Sequence, residues 1–118
     1  MRHGNSIRKF GRVKRQREAL LKSLAVSLIL NDKIRTTEAK AKELRPFIEK
    51  MITKGKGGSI AMRRLVDSRL GGNEIATKKL IDELSKKYED RDGGYTRITK
   101  LAYMRAGDGS KLAQIEFV

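Results

Sequence analysis

Gly93-Gly94-Tyr95-Thr96-Arg97-Ile98-Thr99-Lys100-Leu101-Ala102-Tyr103-Met104, then a turn cluster Ala106-Gly107-Asp108-Gly109-Ser110, then Leu112-Ala113-Gln114-Ile115-Glu116-Phe117-Val118 close the chain. This stretch decides the fold class. Tyr95, Arg97, Thr99, Leu101 and Tyr103 recur at period two, as do Ala113, Ile115 and Phe117, and glycine-rich punctuation lies before and between the two runs. The pattern predicts an antiparallel hairpin. A bare two-stranded hairpin is marginal in water, so it must pack on something.

What precedes it is patterned for helices. From Gln16, Ala19, Leu20, Leu24, Ala25, Leu28 and Ile29 make an apolar stripe, widened by Leu21, Val26 and Leu30, which predicts a central first helix that stops at Asn31-Asp32. Ile34-Arg35-Thr36 is too short to assign between a strand and an extended link. Thr36 or Thr37 caps a second helix with Glu38 in its first turn. Its face is Ala39, Ala41, Leu44, Phe47, Ile48, Met51 and Ile52, and the rhythm resumes in phase after Pro46, so a bend is expected there rather than a break. Glu38 and Lys42 form a favourably oriented i,i+4 pair. Lys54-Gly55-Lys56-Gly57-Gly58 reads as a mobile basic link. Ser59 starts a third helix with Ile60, Ala61, Leu65, Val66 and Leu70 inward. Asn73 starts a fourth with Ile75, Ala76, Leu80, Ile81, Leu84 and Tyr88 inward. The expected architecture is α+β: a two-layer domain of about four helices packed on a small, mostly antiparallel sheet. Residues 16–118 form this compact domain, and 1–15 an extended basic N-terminal arm.

The 118 residues hold 28 Lys plus Arg against 14 Asp plus Glu, a net charge of +14. Residues 1–59 carry +11 of that excess and residues 60–118 only +3. So dense a charge repels itself unless a polyanion neutralises it. The arm concentrates it: Arg2, Arg8, Lys9, Arg12, Lys14, Arg15 and Arg17 follow one another without an acidic residue. Such segments order against folded RNA, whose grooves and junctions admit a thin basic strand. The blander alternative is a solvated tail. His3 and Phe10 are placed to stack on exposed bases, although Phe10 fits equally well folded back on the first helix. Lys54 and Lys56 are the next RNA-binding candidates, then Arg97 and Lys100 on the hairpin, with a solvated loop or snorkelling strand residues as their alternatives.

Other function classes fare poorly. With one histidine, in the arm, and no cysteine, neither a nucleophilic triad nor a four-ligand zinc site can be assembled. The glycines at 55, 57 and 58 lack the Walker spacing. No enzyme, metal, cofactor or small-molecule substrate is expected. No apolar run approaches the length of a membrane span or a secretory signal, and the arm has too few apolar residues to favour an anionic membrane. Duplex DNA is not excluded by charge, but there is no zinc finger, no basic zipper and no convincing recognition helix. The modest core (38% hydrophobic residues) implies a marginal fold strengthened by its partner.

Several stretches together resemble one family. Met1-Arg2-His3, Arg8-Lys9-Phe10-Gly11-Arg12, Arg17 and Ala19-Leu20-Leu21 are similar to the start of the seventeenth protein family of the bacterial large ribosomal subunit. Ile34-Arg35-Thr36-Thr37-Glu38-Ala39-Lys40-Ala41-Lys42-Glu43-Leu44-Arg45-Pro46 resembles its internal motif. Gly93-Gly94-Tyr95-Thr96-Arg97-Ile98 resembles a third marker, and Ile115-Glu116-Phe117-Val118 its ending. The resemblance runs in order through the whole chain. It implies a cytoplasmic, ribosome-bound structural protein that contacts large-subunit ribosomal RNA near the peptide exit side, beside neighbouring large-subunit proteins. It also implies that Ile34-Arg35-Thr36 joins the hairpin as a third strand. By position, Arg2, His3, Arg8, Lys9, Arg12 and Arg17, with Thr37, Lys40 and Lys42, take on RNA contact, while Tyr95 and Arg97 either contact RNA or support the fold. Val13-Lys14-Arg15-Gln16 departs from the small polar run of the family and adds charge to the arm. Asn5-Ser6-Ile7 is less basic than usual, and Asn31-Asp32-Lys33 lacks the His-Glu pair of that turn.

Overall fold

The computed structural model describes residues 13–118. Among them are four helices and three strands. Helix α1 spans Lys14–Asn31, strand β1 Lys33–Thr37, α2 Glu38–Gly55 and α3 Ile60–Arg69. Helix α4 is α-helical over Glu74–Lys79, π-helical over Leu80–Leu84 and α-helical again over Ser85–Lys87. Strands β2, Thr96–Met104, and β3, Lys111–Phe117, complete the chain. The α+β class read from the sequence is correct, and β1 is the third strand that the resemblance implied.

The sheet has the order β1-β3-β2, with both pairs antiparallel. Its register places Ile34, Ile115 and Ile98 in one row. Ile115 is buried, and Ile34 and Ile98 pack against the core, so this row marks the face turned to the helices. Strand β2 slips in register between Lys100 and Met104, where the hairpin leaves the body.

Helix α2, not α1, is the central helix. It buries Ala41, Leu44, Ile48, Met51, Ile52 and Gly55, whereas α1 buries only Ala25, Leu28 and Ile29. The apolar stripe of α1 overstated its burial: Ala19 and Leu30 are exposed. Thr37 caps α2 by accepting from the Lys40 N–H at 3.3 Å, and the helix runs unbroken through Pro46. Ser59 and Asn73 cap α3 and α4 in the same way, at 3.1 and 3.0 Å. Helix α1 begins two residues before the expected boundary, so Lys14 and Arg15 belong to its first turn.

The π segment has a physical reason. Ala76, Leu80, Leu84 and Tyr88 are all buried, yet four-residue steps drift around an α-helix of 3.6 residues per turn. A wider turn rotates the later positions back towards the core. Ile75 and Ile60, expected inward, are 74% and 71% exposed. Each is an early residue of its helix, on the side turned away from the core. Where α4 crosses α2, the Ser85 hydroxyl donates to the Ile52 carbonyl at 3.2 Å. A side chain on Gly55 would place its Cβ 2.3 Å from Ser85 Oγ, so only glycine permits the approach. Among the described residues, no buried side-chain polar atom lacks a partner.

Candidate nucleic-acid interface

Arg2, His3, Arg8, Lys9, Phe10 and Arg12 lie outside the described residues. The other candidates fall into three groups. Lys14 and Arg15 project into solvent from the first turn of α1, with Arg17 half-buried beside them. Helix α1 has no acidic residue in that turn, so its positive N-terminal dipole adds to the local field instead of being offset. An anion would be favoured there.

The second group surrounds the start of α2. Glu38 lies between two lysines: Lys42 Nζ is 2.9 Å from its carboxylate and Lys100 Nζ 3.5 Å. This ties the start of α2 to the middle of β2. The hydrogen bond from Lys42, assisted by Lys100, outweighs burial and holds the Glu38 carboxyl below its usual range. Two cations against one carboxylate leave this corner net positive. Lys40 stands beside it, half-buried, with no acidic partner among the described residues. The Thr37 hydroxyl is occupied as the helix cap.

The third group sits around the glycine-rich marker, and here the structure corrects the reading. The segment around Lys56 is not a mobile link. Gly55 is the buried last residue of α2, and the Lys56 ammonium donates to the Tyr95 hydroxyl at 2.7 Å and to the Arg91 carbonyl. It also lies 4.7 Å from the Tyr95 ring centroid. Lys56 therefore holds the fold, because its contacts are 35 and 39 residues away in sequence. Lys54, two positions earlier, is half-buried at a surface cleft bordered by Pro46, Lys50 and Asp92.

Tyr95 resolves to fold support. It is fully buried, and its ring centroid is 5.2 Å from that of Tyr88. The ammonium of Lys56, then the Thr53 hydroxyl, favour the ionised phenol and hold its pKa below the ordinary value. The flanking marker residues meet Glu49 of α2. Its carboxylate accepts from Thr96 Oγ1 at 2.7 Å, Arg45 Nε at 3.2 Å and the Gly94 N–H at 3.2 Å. Gly94 takes φ +67°, a left-handed conformation that glycine adopts without strain. Burial pushes the Glu49 carboxyl up, but Thr96, Arg45 and Gly94 together outweigh it and keep it low. The Gly-Gly-Tyr-Thr run is thus a latch between α2 and β2. Arg97, the next residue, is exposed on the opposite face and shares Glu116 at 3.4 Å.

Sequence reading missed Lys33 and Arg35. Both are exposed and flank inward-facing Ile34. Their period-two spacing was the available signal, obscured because the strand is only five residues long. Among the described residues no helix is long and apolar enough to cross a membrane.

The family model described as "Ribosomal protein L17" matches residues 20–118. The chain is 50% identical over 121 residues to the "Large ribosomal subunit protein bL17" of Nautilia profundicola, which covers all of this chain and 98% of the relative. The protein of that name from Erythrobacter litoralis is 52% identical, covering all of this chain and 83% of its own. That from Wolinella succinogenes is 49% identical, with both chains covered completely. On this full-length similarity the chain belongs to the ribosomal protein L17 family.

Proposed function

We propose that the protein is a structural constituent of the large ribosomal subunit. It binds and stabilises large-subunit ribosomal RNA near the peptide exit side, among neighbouring subunit proteins, and acts in the cytoplasm as part of the ribosome and not as an enzyme. The observation that carries this reading is the similarity, over the whole chain, to proteins named as components of that subunit. Physical support comes from the charge. A net +14 on 118 residues needs a polyanion, and Lys14, Arg15, Lys40 and Lys54 have no acidic partner among the described residues. The basic residues of the arm, Arg2, Arg8, Lys9 and Arg12, extend that field, with His3 and Phe10 available for stacking.

Phosphate contacts make affinity fall with salt, because binding releases condensed counterions. Binding of the full chain to purified large-subunit RNA is therefore expected to weaken steeply across a salt series. The loss should be about a thousand-fold between roughly 50 and 200 mM if six or more phosphates are neutralised. Removing residues 1–12 should lower both the affinity and the slope. A shallow slope that the deletion leaves unchanged would contradict the reading.

A further inference from the structure

The sheet has a second face, which the core does not use. Ile34, Ile98 and Ile115 point to the helices, so Lys33, Arg35, Arg97, Thr99, Gln114 and Glu116 lie on the other side. Lys33, Arg35, Arg97 and Thr99 are exposed, and no described element covers them. Three cations face one carboxylate. Tyr103 joins this face where the hairpin leaves the body: Arg35 donates from Nη1 to its hydroxyl at 3.2 Å. That contact ties the ring to β1, across the same sheet, while leaving it 53% exposed. Thr99 and Gln114 are paired directly across the sheet, with Arg35 beyond them.

We propose that this open face seats unpaired bases of an RNA loop or single-stranded segment. The inference rests on the RNA reading above and adds which form of RNA the body takes. An exposed aromatic ring beside arginine offers a stacking surface, and stacking requires a base out of its helix. Lys33 and Arg97 lie together in the next row, one on each outer strand with Glu116 between them, and supply the positive charge for the backbone phosphates. The Thr99 hydroxyl and Gln114 amide supply a donor and acceptor set for base edges. A duplex keeps its bases stacked inside and would leave the Tyr103 ring idle.

Tyr103 makes the test direct. The chain has three tyrosines and no tryptophan, and the other two, Tyr88 and Tyr95, are 2% and 0% exposed. Ligand quenching of the intrinsic fluorescence therefore reports on Tyr103. The full-length protein is titrated with a single-stranded RNA of about ten nucleotides, a length within small single-strand sites, and separately with the matching duplex. The expected result is saturable quenching by the single strand and little by the duplex. Tyr103→Ala should weaken single-strand affinity about five-fold or more, read by anisotropy of labelled RNA, while Tyr103→Phe retains it. Because the ring is exposed, the thermal midpoint of Tyr103→Ala should match that of the wild type.

Equal single-strand affinity of Tyr103→Ala and wild type would overturn the proposal, as would equal quenching by the duplex. If large-subunit RNA still bound normally in those cases, the ribosomal reading would stand. Failure of the wild type to bind any RNA would remove both. A photo-crosslinker at position 103 that captures protein instead of RNA in assembled particles would overturn the proposal in favour of a protein contact.

Discussion

The two faces of the three-stranded sheet are built from alternate residues of the same strands, yet they answer to different physics. The inner face presents Ile34, Ile98 and Ile115 to α2 and is closed by packing. The outer face presents Lys33, Arg35 and Arg97 to solvent, with Glu116 as their one carboxylate. The comparison teaches that the excess charge of this chain is not spread over a featureless surface. On this sheet it occupies the positions that the fold does not need, whereas a cation such as Lys56 is engaged by the fold itself, through Tyr95 and the Arg91 carbonyl.

The largest break in that comparison comes from truncating the inner face. Ile115 is fully buried at the centre of the middle strand, so Ile115→Ala is expected to cost about 2–5 kcal/mol in denaturant unfolding. Its outward neighbour Gln114 should tolerate alanine within about 0.5 kcal/mol. Similar losses at the two positions would mean that the outer face is not free.

A smaller effect sharpens the role of the latch. The folded-state pKa of Glu49 lies below its ordinary value of 4.5. Its stabilisation is therefore complete above that value and is lost as pH falls through the lower, folded pKa. Wild-type denaturation midpoints should hold from neutrality to about pH 5 and then drop. Glu49→Gln should start lower and drop less steeply, as one acid-sensitive group is gone. Glu38, held low first by Lys42, and Asp108, held low first by Arg105, act in the same direction. Both pairs are solvent-screened, so the variant should still remove a visible part of the slope. Identical slopes would contradict the assignment of the latch.

Much of this was legible in the residues. The helix starts at Ser59 and Asn73, and the one at Thr36 or Thr37, were readable because a cap is a local event involving three or four residues; the structure chooses Thr37. The Glu38–Lys42 pair was readable for the same reason. The inward face of β3 was readable from Ala113, Ile115 and Phe117. The phase of β2 was harder to read. Arg97, Thr99 and Tyr103 keep their period two but face solvent, and Tyr95, which seemed to begin the same row, is buried before the strand starts. Long-range contacts account for the other surprises. Lys56 reads as a loop cation until Tyr95 and Arg91 are brought to it, and the four-residue rhythm of α4 looks α-helical until packing demands a wider turn. For the candidate site, Lys14, Arg15, Lys40 and Lys54, without an acidic partner among the described residues, lie exposed or half-buried at the surface; composition pointed to Lys14, Arg15 and Lys54, the resemblance to Lys40. That Lys100 would also meet Glu38, and Arg97 meet Glu116, could be known only from the fold.

The central claim is that this chain belongs on one large structured RNA particle. The most direct measurement is co-sedimentation of the full-length protein with purified ribosomal subunits through a moderately high-salt gradient. The account predicts that it travels with the large subunit, survives salt that strips non-specific binders, and is absent from the small subunit. Release at that salt, or equal recovery with both subunits and with duplex DNA, would contradict it.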